Sequence, residues 1–210
     1  MLPRLLLALV LAVPAAALAQ SPSASASALF RSQGQPGTEP IVAETPFESK
    51  PGRPQAAIVR IDPDAVALVV AAETRPGVFE IVARSGRFTV PLESSYGTAV
   101  ELFAFDAPDR LSLSLTSRSG CGRSAVTHRF ALRRGEWVVT GLDIDAVRCT
   151  DDGVEPDWSE SANYITGKTV RTVHTRAGAA KRVQTAGARR AFPLSKFPPD
   201  GPESAYAELR

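Results

Sequence analysis

The chain has 210 residues, of which 24 are Lys or Arg and 22 are Asp or Glu, and 44% are hydrophobic. The near-balance of charge, +2 overall, points to no partner by global electrostatics, and the length and apolar fraction suit a single domain with a real core.

Met1 to Ala19 reads as an export signal. Arg4 supplies the positive start, Leu5 to Val13 the apolar stretch, and Ala17-Leu18-Ala19 the small residues of a cleavage site. The run is too short for a membrane span and is interrupted by Pro14. Cleavage after Ala19 removes Arg4 and leaves 23 basic side chains against 22 acidic ones. The expected product has no transmembrane anchor and is periplasmic or secreted.

Residues 20–55 are rich in Ser, Ala, Pro, Gly and Gln, a composition that buries little and is expected to be a disordered leader. From residue 56 to about 200 short apolar stretches alternate with turn residues, which predicts an all-β domain, an antiparallel sandwich or curved sheet. Residues 201–210 form a C-terminal tail. Asp62-Pro63-Asp64 followed by Ala65 to Glu73 suits either a capped helix or a turn into a Val-rich strand, and the β surroundings favour the strand. Phe79, Ile81 and Ala83 before Ser85-Gly86, with Phe88, Val90 and Leu92 after it, predict a hairpin. Leu111, Leu113 and Leu115 alternate with Ser112, Ser114 and Thr116, the pattern of a strand buried on one face. Ser124 to Leu132 and Glu136 to Leu142, around Arg134-Gly135, predict a second hairpin.

Cys121 and Cys149 are the only cysteines, and in an oxidising compartment they are expected to form one disulfide. His128 lies at the edge of an apolar strand face and is expected to be packed rather than catalytic; no G-x-S-x-G elbow accompanies it. Gly167-Lys168-Thr169 resembles the end of a phosphate-binding loop, but Ala162 stands where that motif needs glycine.

Charge is distributed unevenly near the C-terminus. Between Asp143 and Glu160 seven acids face only Arg148, whereas between Asn163 and Pro199 there is no acid. The basic ribbon of Lys168, Arg171, Arg176, Lys181, Arg182, Arg189, Arg190 and Lys196 is a candidate contact for an anionic envelope component; the competing reading is that acidic and basic strands lie side by side and satisfy one another. Nucleic acid is not expected as a partner, because aromatics for base stacking are few and export removes the usual partners. Asp143, Asp145, Asp151 and Asp152 are weak calcium candidates without the spacing of the helix-loop-helix calcium motif, so no metal and no cofactor is expected.

Trp137-Val138-Val139-Thr140-Gly141, followed by Ser161-Ala162-Asn163-Tyr164-Ile165-Thr166-Gly167-Lys168, resembles a pattern in uncharacterised exported bacterial proteins. There an N-Y-[LI]-T-G-K segment precedes a basic β stretch and an apolar closing segment, here Phe192-Pro193-Leu194 to Phe197. The resemblance implies an exported β-rich protein and carries no activity. In physical terms the motif is a turn, with Gly167 free to take positive φ and Asn163 able to bond its own backbone. The function expected from the whole chain is a non-enzymatic binding or structural module of the cell envelope that meets an anionic component or another exported protein. The alternative is a hydrolase of an envelope or extracellular polymer using carboxylates among Asp143, Asp145 and Asp157.

Overall fold

A computed structural model describes residues 25–37, 39–45, 55–89, 99–104, 109–119, 121–151, 153–174, 180–186 and 190–198. The segments expected to be an export signal and a C-terminal tail lie outside these residues. A short helix α1 (Ala26–Ser32) is followed by β1 (Ile41–Glu44), β2 (Gln55–Asp62), β3 (Ala65–Arg75) and β4 (Val78–Arg84), which form a four-stranded antiparallel sheet in chain order. Then come β5 (Ala99–Ala104), β6 (Arg110–Ser119), β7 (Gly122–Arg133), β8 (Glu136–Thr150), β9 (Gly153–Asn163), β10 (Lys168–His174) and β11 (Ala180–Ala186), again paired antiparallel with their neighbours. β12 (Phe192–Pro193) returns to pair with β8 and completes an eight-stranded sheet. The two sheets pack face to face and neither closes on itself, so the expected all-β sandwich is what forms. Among the described residues no helix is long and apolar enough to cross a membrane.

The core between the sheets follows from alternation. On β6 the leucines at 111, 113 and 115 are fully buried, and they are joined by Val126 and Phe130 of β7 and Leu142 and Ile144 of β8. The β7–β8 hairpin closes through Arg134-Gly135, whose φ angles of 53° and 81° are those of a tight turn matched to strand twist.

The four-stranded sheet has no such alternation because both its faces are covered. Ala56, Ile58, Val66, Leu68 and Val70 face the other sheet, while Ala57, Val59, Val69 and Ala71 face α1. A strand buried on both sides reads as a continuous apolar run, which is why Ala65 to Ala71 has no periodicity to separate helix from strand. The strand reading holds, with Pro63-Asp64 as the turn from β2 to β3.

Two expectations need correction. Part of the segment expected to be a disordered leader is built into the fold as α1 and β1. Ser25 caps α1 by accepting a hydrogen bond from the Ala28 amide at 3.3 Å, and Ala26, Leu29 and Phe30 put one buried face on the sheet. Burying Leu29 and Phe30 stabilises by roughly 1.5–3 kcal/mol each, which offsets the poor composition around them. Thr45, at the end of β1, accepts from the Ala56 amide through its hydroxyl and donates its own amide to the Ala56 carbonyl.

Ser85-Gly86 does not reverse the chain either. The segment keeps running along β3: Ser85 bonds Leu68 through its amide and its hydroxyl, and Phe88 and Val66 exchange both backbone bonds. The reversal that pairs β4 with β3 lies earlier, at Pro76-Gly77, where Gly77 has φ 71°. Phe88 thereby reaches the core instead of a hairpin arm. It meets Phe197 edge to face at 5.5 Å, and Phe197 in turn meets Phe130 at 5.5 Å and His128 at 4.8 Å. The C-terminal segment is thus a wedge between the two sheets. A side chain at Gly86 would strike it, since a Cβ there would lie 2.9 Å from the Phe197 carbonyl oxygen.

Candidate functional site

Cys121, in the turn after β6, is bonded to Cys149 near the end of β8, with Cα atoms 5.6 Å apart. Arg123 pairs with Val147, so the cysteines occupy the next facing position of the same ladder, and the bond extends the β7–β8 register. The expected disulfide is therefore a brace across three strands.

Of the basic ribbon, the part on β10 divides between the two faces of the strand. On β10, Lys168 and Thr172 project to one side and Arg171 and Val173 to the other, as strand alternation requires. Arg171 lies over the Trp158 ring, 4.4 Å from its centroid, and faces Glu160 in register. Lys181 and Arg182 occupy adjacent positions of β11, the outermost strand on that side among the described residues. Arg190 and Lys196 are exposed on the C-terminal segment, and Arg176 and Arg189 lie outside the described residues.

Three of the seven acids are matched to bases among the described residues. Asp143 pairs with Arg129 at 3.3 Å, and Arg148 takes both Glu155 at 3.6 Å and Asp157 at 3.5 Å. A hydrolase needs two carboxylates across one cleft, and here two of the three candidates are held by different arginines. Asp145 points into an open groove, Asp151 lies in the turn after β8, and Asp152 is outside the described residues. Among the described residues no three His, Cys, Asp or Glu side chains converge as a metal site. His128 is buried against Phe197. Leu132, two residues further along β7 than Phe130, is exposed beside the hairpin turn.

The outer face of the eight-stranded sheet, away from the core, carries a feature that reading along the chain missed. Arg110 of β6 and Arg129 and Arg133 of β7 line a groove of about 360 Å³ together with Thr140, Asn163 and Ile165, and no carboxylate is among its lining residues. Arg129 is fixed: its guanidinium donates to the Ala162 carbonyl at 2.9 Å and pairs with Asp143. Gly141 opposite it is required by space, since a Cβ there would lie 2.5 Å from both the Arg129 Nη2 and the Ala162 oxygen. Arg110 and Arg133 are exposed. These three residues are scattered in sequence, and only the β6–β7 register brings them together. The available signal was the alternation itself, which sends Arg129 away from His128 and Phe130.

The Asn163–Lys168 motif forms the far wall. Asn163 Oδ1 accepts from the amides of Ile165 and Thr166 at 3.0 and 3.1 Å, Thr166 Oγ1 accepts from Lys168, and Gly167 takes φ 70°. Tyr164 is buried and stacked on Phe192. The turn accounts for those residues but leaves Ile165, 46% exposed, and Lys168 projecting. The chain matches no protein-family model, no curated protein and no solved structure.

Proposed function

We propose that this is an exported, non-enzymatic binding or structural module of the cell envelope, periplasmic or secreted, that meets a phosphate-bearing envelope component through the arginine groove. The observation that carries the reading is the groove itself: the exposed guanidiniums of Arg110 and Arg133 flank Arg129, which is held by Asp143 and the Ala162 carbonyl, around a concave surface with no carboxylate in its lining. Arginine suits this task because its planar fork bonds phosphate or carboxylate with two donors at once. The disulfide supports export, since such bonds persist in oxidising compartments. The resemblance of Asn163 to Lys168 to exported proteins points the same way, and Ile165 and Asn163 of that motif line the groove.

Cosedimentation with purified envelope fragments tests this. Binding should weaken steeply as salt rises, because exposed charges are screened over about 10 Å at 0.1 M salt. The double substitution Arg110→Ser and Arg133→Ser should abolish the salt-sensitive part. Binding that ignores both salt and substitution would indicate a partner held by other contacts, another exported protein among them.

A further inference from the structure

We propose that a second groove on the same outer face binds a sugar carrying one anionic substituent, gripped by Arg118 and Arg123. Arg118 near the end of β6 and Arg123 near the start of β7 are directly opposed in the ladder, and both are exposed. Like charges facing each other across antiparallel strands destabilise the pair. Among the described residues neither arginine forms an ion pair that would offset this cost, although the carboxylates of Glu101 and Asp145 line the same groove. An anion seated between the two guanidiniums relieves it, with paired donors from each side.

The groove as a whole, about 560 Å³, leaves room beside the arginines for what would be attached to that anion. Its size falls in the ordinary range of small-ligand sites, roughly 300–1,000 Å³. Ser114, Thr116 and Thr127 supply hydroxyls that both donate and accept, and the carboxylates of Glu101 and Asp145 accept only. Hydroxyl donors on a ligand are what those acceptors can use. A second phosphate would be repelled by them. The recognised unit is therefore one negative group on a polyhydroxyl ring, such as a sugar phosphate or a uronic acid. The disulfide contributes rigidity, since Cys121 lies in the turn joining the two arginine-bearing strands.

Nuclear magnetic resonance titration of the oxidised protein, observing the guanidinium NεH signals, tests this with four probes: inorganic phosphate, glucose, glucose 6-phosphate and glucuronate. The two anionic sugars should shift the Arg118 and Arg123 signals saturably and bind about tenfold or more tightly than phosphate or glucose, as charged hydrogen bonds of this kind imply. Arg118→Ser and Arg123→Ser should each remove that binding. Glu101→Gln with Asp145→Asn should weaken the sugars relative to inorganic phosphate, whose own binding should strengthen as the two negative charges leave the groove. Arg118→Lys, which keeps the charge and loses the fork, should weaken binding while retaining the fold. Equal binding of phosphate and glucose 6-phosphate would overturn the sugar assignment, and no saturable shift at either arginine would overturn the site. The substitutions Arg110→Ser and Arg133→Ser should leave every one of these titrations unchanged, so the outcome here is independent of the arginine groove.

Discussion

Among the described residues the two sheets of this protein are covered differently, and the proposed binding sites fall on the less covered one. The four-stranded sheet lies between α1 and the core, so its central strands are apolar on both faces. Among the described residues the eight-stranded sheet is packed on one face, and β6 reads leucine on that side against serine, threonine and arginine on the other. The proposed ligand contacts therefore fall on its open face. Both grooves, with five arginines between them, are on that open face.

Substitutions graded across the molecule sharpen this contrast. Phe197→Ala, which removes the wedge between the sheets, should cost about 3–5 kcal/mol in urea denaturation. A value below about 1 kcal/mol, the ordinary size for a site that loses no packing, would mean that the sheets hold together without it. Replacing both cysteines by serine should cost roughly 3 kcal/mol, read as a lower thermal midpoint, since the bond closes a 28-residue separation. Leu29→Ala should cost about 2–3 kcal/mol, at the low end for a buried leucine because α1 has only seven residues and can shift to close the gap. If hydrogen exchange showed β2 and β3 unaffected by that change, the covered face would not depend on α1. Thr116→Ala on the open face should change stability by less than about 0.5 kcal/mol.

Much of the architecture was legible because alternation and turn chemistry are local. Leu111 to Thr116 and the Arg134-Gly135 turn carry their own pattern, and two cysteines allow one pairing. α1 was not legible, because seven residues with two large apolar side chains have no stability until a sheet is placed beneath them. Ser85-Gly86 misled because a serine-glycine pair usually marks a turn; here Ser85 bonds Leu68 across the ladder, and the glycine makes room for the C-terminal wedge. The charge switch after Asp143 was visible, but its meaning depended on register. Asp143 finds Arg129 on β7, and Arg171 finds Trp158 on β9. The arginine groove was hidden for the same reason: Arg110 is distant in sequence from Arg129 and Arg133, and a hydrogen-bonded ladder alone makes them neighbours.

The central claim is that anion contact belongs to the groove rather than to the basic ribbon. It is tested most directly by comparing two double variants of equal charge change, Arg110→Ser with Arg133→Ser and Lys181→Ser with Arg182→Ser, for salt-dependent binding to envelope fragments. The groove variant should lose binding and the edge-strand variant should keep it. Loss in the edge-strand variant with retention in the groove variant would contradict it.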